Sequence, residues 1–337
     1  MTPSEIVAQL DKDVVGQADA KRILAVAVYM HFRKSAKARS DSVELVKSNI
    51  LLIGSTGTGK TLLCETLSRV LGAPFVTADA ATLAQSEFVN NEIEAILQRL
   101  LDKADGDVSR AQRGLVFIDE VDKLKAVSGR ARAASGESVQ HALLKIMEGS
   151  QVRLKSGDYI DTTQILFICG GAFVGLSEIL KDTQSYGFLS LSDGDNQAIL
   201  NRLNERVKPT DLLAYGLVPE FAGRLPVIAR LQDLSKQMMV KIMIEPKNSI
   251  YRQYREMLQS DGVELAIKPL VFEQIADLAI EYKVGARSLR GIFEELMTDV
   301  LYAIPDNPSI RKVIFNSLFE PPRLIAEAPP QAPAVRN

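Results

Sequence analysis

The sequence predicts an α/β fold: a parallel sheet flanked by helices in a larger first domain, then a smaller, mostly helical C-terminal domain. Three observations carry this. Short apolar runs alternate with amphipathic helical patterns between residues 49 and 229, the signature of a sheet covered on both faces. The first run leads into a glycine-rich turn followed at once by a helical pattern. After about residue 232 helical periodicity takes over. A length of 337 residues suits about two domains.

In chain order, residues 14–39 read as a helix. Val14, Val15, Ile23, Leu24, Ala27, Val28 and Phe32 form its apolar face, with Lys and Arg at the C-terminal end, where the helix dipole favours cations. Residues 40–48 are a polar connection. Residues 49–53 form a strand and 62–71 the helix after the glycine-rich turn; 74–77 is a second strand. Residues 93–104 are helical, with Ile93, Ile96, Leu97, Leu100 and Leu101 on one side. Residues 114–118 are a third strand, and two acids follow it directly. A polar, arginine-bearing loop is expected over 126–135, a helix over 137–148, a fourth strand over 165–169, a mobile loop over 181–197, and a last strand over 226–229. Beyond residue 232, helices are expected at 235–243, 246–260, 269–281 and 287–303, with strands at 263–267 and 311–315. This divides the chain into a large domain (1–232), a small domain (233–320) and a tail (321–337). The tail holds five prolines in seventeen residues and little apolar periodicity, so disorder is expected there.

Composition bounds the function. Forty basic and 42 acidic residues give a net charge of −2, with 46% apolar and 24% charged residues. No global basic signal points to nucleic acid, no apolar run is long enough to span a membrane, and the first residues lack the basic and apolar parts of a signal peptide. Cys64 and Cys169 each sit in an apolar stretch and read as buried thiols of a reducing, cytoplasmic compartment. His31 and His141 read as structural, and no Cys or His spacing matches a structural zinc site.

The chemistry lies in Gly54-Ser55-Thr56-Gly57-Thr58-Gly59-Lys60-Thr61, which fits G-x-x-x-x-G-K-[ST] between a strand and a helix. Glycines let backbone N–H groups turn inward around phosphate oxygens, and the following helix points its positive end at the anion. Lys60 is expected on the β- and γ-phosphates and Thr61 on Mg²⁺. The run Leu115-Val116-Phe117-Ile118-Asp119-Glu120 brings two carboxylates to a strand's C-terminal end, where ligands bind in such sheets. Asp119 is expected to hold Mg²⁺ through water and Glu120 to activate the attacking water, so the pair favours a hydrolase over a passive nucleotide switch. Two arginines at turns, Arg224 and Arg287, are candidates for charge on the transition state; the alternative for each is a surface arginine paired with a carboxylate.

The stretches AKRILAVAVY, NILLIGSTGTGKTLL, ADAATL, RAQRGLVFIDEVDK, SGESVQHALLK, QILFICGGAF, YGLVPEFAGRLPVIA, EPKNSIYRQY and GARSLRG occur here in an order that resembles the ClpX family of AAA+ P-loop NTPases, protein unfoldases that serve ClpP-type peptidases. The resemblance runs from about residue 14 to 318. The HslU family is the nearest alternative, but it carries a large inserted domain for which this chain has no room. The resemblance implies a homohexameric ring with ATP and Mg²⁺ bound between subunits and protein substrates threaded through the pore. It matches Arg224 to the arginine finger acting on the neighbour, Arg287 to the sensor-2 arginine, and Val15, Gly16 and Gln17 to the adenine pocket. The sensor-1 region reads F-I-C-G-G, and no catalytic role is assigned to it.

Four departures from the family pattern stand out. The family begins with a four-cysteine zinc domain, whereas this chain starts almost at the AAA+ core; a paralogue without that domain is expected in preference to a truncated form. Where the family's pore loop has G-Y-V-G, this chain has Glu87-Phe88-Val89-Asn90, which keeps an aromatic–aliphatic pair in a stiffer, more polar loop. The stretch 150–160 is shorter than the family's R-K-H loop and lacks that motif, with Arg153 and Lys155 retaining charge, while Arg132 matches a basic position of the second pore loop. Where the family docks its peptidase through I-G-F, this chain has Tyr186-Gly187-Phe188. The reading is an ATP-driven unfoldase of a Clp-type protease. A remodelling chaperone without a peptidase, a scaffolding ATPase with an idle pore, and an AAA+ nucleic-acid motor remain its alternatives.

Overall fold

The computed structural model describes residues 1–37, 47–125, 131–185 and 206–326. These divide into two units: one of Met1–Leu10, Gln17–Ser55 and Gly59–Gln232, the other of Asp11–Gly16, Thr56–Thr58 and the chain from Asp233 on.

The first unit is built on a five-stranded sheet. Its strands are β1 (Ile50–Ile53), β2 (Phe75–Asp79), β3 (Leu115–Asp119), β6 (Leu166–Gly171) and β7 (Val227–Arg230), in the order β2-β3-β6-β1-β7. Every pairing is parallel. β1 and β6 are buried along their whole length, which is why both read as continuous apolar runs rather than as alternation. Leu51, Ile53, Val116, Ile118, Phe167 and Cys169 share one core with Ile93, Ile96, Leu97, Leu100 and Leu101 of helix α5 (Val89–Lys103), so the helical stripe seen in the sequence is the face that covers the sheet. Both thiols are buried, and burial pushes each well above the ordinary thiol range.

Helix α1 (Pro3–Leu10) was not anticipated; it buries Ile6 and Leu10. It opens with reciprocal bonds, Thr2 N–H to the Glu5 carboxylate at 2.8 Å and Glu5 N–H to the Thr2 hydroxyl at 3.3 Å, a capping box. Helix α2 (Ala18–Lys37) starts later than residue 14, because Gly16 and Gln17 hold left-handed backbone with φ of 68° and 58°, which no α-helix continues through. A short helix α4 (Ala80–Gln85) follows β2, capped by the Asp79 carboxylate on the Ala81 and Thr82 N–H groups. After α6 (Val108–Ala111), helix α7 runs Ala131–Glu148, so residues 131–135 are helical rather than loop. A hairpin of β4 (Gln151–Arg153) and β5 (Tyr159–Asp161) precedes β6. Helix α8 (Leu176–Ser185) occupies the start of the expected mobile loop; the rest of that loop lies outside the described residues.

Lys47, just before β1, donates to the Thr162 carbonyl at 2.8 Å and sits 4.6 Å above the Phe167 ring. Burial lowers its pKa from 10.5 to about 7, against a smaller upward pull from Asp161. The folded state therefore binds this proton less readily than the unfolded chain, and stability should climb as pH rises from about 7 to about 10. Lys47→Met keeps the apolar stem on Phe167 and removes the titration. Thermal melts of both proteins across that window should show a shallower rise for the variant; parallel curves would exclude Lys47 as a source of the pH dependence.

The second unit contains α11 (Lys236–Ile244), α12 (Ile250–Ser260), α13 (Pro269–Glu281) and α14 (Arg287–Asp306), with α9 (Pro209–Tyr215) and α10 (Pro219–Gly223) belonging to the first. Met243, Leu258, Ile275, Phe293 and Phe315 lie in its own core. Its sheet orders β10 (Arg323–Ala326), β9 (Ile310–Phe315) and β8 (Glu264–Ile267). β8 and β9 are parallel and β10 is antiparallel to β9. β10 overturns the expectation of disorder for residues 323–326. Its side chains are all exposed, so Leu324 and Ile325 bury no face; pairing with β9 satisfies its backbone instead.

Candidate nucleotide site

Five features converge at the C-terminal edge of the parallel sheet, beginning with the end of β1. The Gly54 N–H donates to the Gly171 carbonyl at 3.1 Å, extending the ladder one residue past the strand. The chain then turns through Gly57 (φ 82°) and Gly59 (φ 98°) into helix α3 (Lys60–Leu71). Both angles are in the region that favours glycine. Gly59 is the N-cap, and no side chain caps this helix. With no side-chain cap, the positive end of the α3 dipole is available to an anion.

Lys60 is only 8% exposed, and its ammonium donates to the carbonyls of Gly54 at 2.6 Å and Ser55 at 3.2 Å. A buried ammonium held on neutral carbonyls at an uncapped helix start fits a phosphate. Thr58 is buried and Thr61 half-buried beside it.

Two strands away, β3 delivers Asp119 and Glu120. Glu120 takes left-handed backbone, φ 59° and ψ 31°, at a cost of order 1–3 kcal/mol for a residue with a β-carbon. Its N–H donates to Asp119 Oδ1 at 2.9 Å, and a 3₁₀ turn, Val121–Leu124, follows. The strained turn leaves Glu120 exposed and Asp119 half-buried. Burial, and after it the negative charges of Asp119 and Glu65, raises the Cys64 thiol of α3.

The glycines ending β6 make room for acids. A β-carbon on Gly170 would stand 2.6 Å from the Phe117 ring and 3.2 Å from Asp119 Oδ1; one on Gly171 would stand 2.6 Å from Asp122 Oδ1. Asp122 is 3% exposed, its Oδ2 accepts from the Phe173 N–H at 3.3 Å, and Oδ1 has no hydrogen-bond partner among the described residues. Asp122, the third acid of the run Asp119-Glu120-Val121-Asp122, had no role assigned from the sequence.

Arg224 stands apart from this edge. Arg224 follows α10 and pairs through Nε (2.9 Å) and Nη2 (2.7 Å) with Glu148 Oε1. It precedes β7, whose Val227 pairs with Ile50 at the start of β1. Arg224 therefore lies at the N-terminal edge of the sheet, and Gly54 and Lys60 lie at the C-terminal edge. Arg287 is exposed at the first position of α14, after Lys283 and Gly285 with φ of 54° and 66°. Gln17 is buried, and its amide exchanges bonds of 2.8 Å with the backbone N–H and C=O of Gln232. Its side chain is thus committed within the first unit. Val15 is half-buried and Gly16 exposed.

Phe88 is 66% exposed at the N-cap of α5, while Val89 is the first helical residue and packs on the core. Of the aromatic–aliphatic pair, only the aromatic projects. Arg132 lies in the first turn of α7, and Arg153 and Lys155 are exposed on the β4–β5 hairpin. Tyr186, Gly187 and Phe188 lie outside the described residues. Among the described residues no helix is long and apolar enough to cross a membrane.

The AAA domain of the Cdc48 subfamily matches residues 46–228, and the C-terminal, D2-small domain of ClpB protein matches residues 234–311. The chain is 43% identical over 336 residues to a protein of Borrelia duttonii, covering 93% of this chain and 77% of that one. A protein of Borrelia recurrentis gives the same values. A Bacteroides fragilis protein is 44% identical over 319 residues, covering 90% and 77%. All three are named ATP-dependent Clp protease ATP-binding subunit ClpX.

Proposed function

Given that the chain belongs to the ClpX family of AAA+ ATPases, we propose that it unfolds proteins in a homohexameric ring, with hydrolysis at sites each completed by two subunits. It is an ATPase and an ATP-dependent unfoldase of the Clp protease type. The observation that carries the site reading is the meeting of the uncapped α3 start, the buried Lys60 ammonium and the Asp119–Glu120 turn on one sheet edge.

In this reading residues 1–232 form the nucleotide-binding domain and 233–320 the small domain. The backbone of Gly54 to Gly59 and the α3 N-terminus receive the phosphates of ATP, and Lys60 shifts from the loop carbonyls to the β- and γ-oxygens. Thr61 and, through water, Asp119 would hold Mg²⁺, which would neutralise charge on those oxygens. Glu120, raised on its left-handed turn, orients the attacking water and takes its proton. Val15, Gly16 and the backbone of Gln17 flank the adenine. Arg287 senses the nucleotide from the small domain and couples its state to the angle between domains.

Arg224 is the transition-state arginine, and it serves the next subunit. Four residues of β1 separate its level in the sheet from Gly54, about 13 Å at strand rise, which is beyond the reach of its side chain to its own phosphate loop. A neighbouring copy is the simplest recipient. A ClpP-type peptidase, contacted through Tyr186, Gly187 and Phe188, is the proposed partner, and the cytoplasm the proposed compartment.

Phe88 grips the polypeptide, and Arg132, in the first turn of α7, is the proposed basic residue of the pore. A large apolar side chain exposed at a helix start grips without reading sequence, and the packed Val89 stiffens its base. Phe88→Ala should leave ATP turnover close to normal and abolish ATP-dependent unfolding of a fluorescent substrate protein. Unfolding at the parent rate would remove Phe88 from the mechanism.

A further inference from the structure

We propose that Glu148 is a positioning residue for Arg224, and that Asn49 fixes the backbone of both, so that the guanidinium waits half-bound with its other edge open to a neighbour's phosphate. The proposal rests on the reading of Arg224 as the residue that completes the adjoining subunit's site.

The geometry is specific. Glu148 Oε1 accepts from Nε at 2.9 Å and Nη2 at 2.7 Å, while Nη1 has no partner among the described residues. A guanidinium has five N–H donors. Glu148 takes two of them on one edge and leaves three for an oxyanion. The two side chains are 41% and 42% exposed, and an exposed pair of this kind adds little to stability. Its consequence is geometric: it confines a long side chain that otherwise samples many rotamers.

Glu148 is also the last residue of helix α7, where the helix dipole disfavours a carboxylate. The nearby guanidinium offsets that disadvantage. Asn49, 1% exposed, donates through Nδ2 to the Arg224 carbonyl at 3.2 Å and to the Met147 carbonyl at 3.3 Å. One buried amide thus holds the residue before Glu148 and Arg224 itself against the foot of β1. The other end of β1 enters the phosphate loop, so the strand that carries this subunit's nucleotide also sets the arginine it offers to the next.

The test uses the full chain with Glu148→Gln, Glu148→Asp, Arg224→Ala and the double variant Glu148→Gln/Arg224→Ala. Steady-state ATPase gives kcat and KM, a fluorescent ATP analogue gives affinity, and native mass verifies assembly. Glu148→Gln should lower kcat by roughly tenfold, as expected for a misplaced transition-state group, with KM and analogue affinity unchanged. Glu148→Asp should recover part of the loss. The double variant should be no slower than Arg224→Ala alone, since two residues acting as one unit are not additive. Unchanged or faster turnover in Glu148→Gln, or full additivity in the double variant, overturns the proposal while leaving Arg224 in place. Normal turnover in Arg224→Ala overturns the underlying reading and the proposal with it.

Discussion

The Glu120→Gln protein will bind ATP as tightly as the parent and hydrolyse it at least a hundredfold more slowly. Glutamine has the same shape, so the left-handed turn and the Glu120 N–H bond to Asp119 persist, and Lys60, Thr61 and the α3 start still receive the phosphates. What is lost is the carboxylate that orients water and accepts its proton, a contribution of roughly 10²–10⁴. Equilibrium binding of an ATP analogue with single-turnover hydrolysis separates the two effects. Near-normal hydrolysis would refute the assignment. Because it holds ATP, this variant also suits native mass measurement, alone and with the cognate ClpP-type peptidase. A hexamer that gains the mass of the peptidase only when Tyr186, Gly187 and Phe188 are intact supports a proteolytic unfoldase. A hexamer that ignores the peptidase supports stand-alone remodelling.

Arg224→Ala is expected to cut turnover by a factor on the order of 10³, the scale at which arginine fingers act, with a defect that crosses between subunits. Arg224 sits at the sheet edge opposite Lys60, at the foot of the β1–β7 pair. Mixing Arg224→Ala chains with Lys60→Ala chains, each inactive alone, creates some interfaces where an intact Lys60 meets an intact Arg224. Turnover should therefore reappear in the mixture and pass through a maximum with mixing ratio. No recovery at any ratio would mean that Arg224 serves its own subunit or none.

Some misses in reading the chain had local signals. Thr2-Pro3-Ser4-Glu5 carries the spacing of a capping box, and it opens α1. Gly16 before Gln17 marked a break in what reads as one helix from residue 14. The β4–β5 hairpin turns around Ser156-Gly157-Asp158, with Gly157 at φ 94°, a turn signal of the usual kind. β10 had only the short run Leu324-Ile325-Ala326 in a proline-rich tail, since an exposed edge strand is held by its neighbour's backbone rather than by a buried face.

The phosphate loop, the carboxylates at the end of an apolar run and the alternation of strands with helices are legible in the chain without its fold. Each is a local property, written in spacings of a few residues that fix backbone angles and bury one face. The strand order β2-β3-β6-β1-β7 emerges only on folding; it brings Lys60, Asp119 and Glu120 to one sheet edge and sends Arg224 to the opposite one. Folding also makes Gly170 and Gly171 the space for Asp119 and Asp122, and gathers Glu148 and Asn49 around an arginine 76 and 175 residues away. Contacts over such separations follow from how the whole sheet packs, and no periodicity within one segment encodes them.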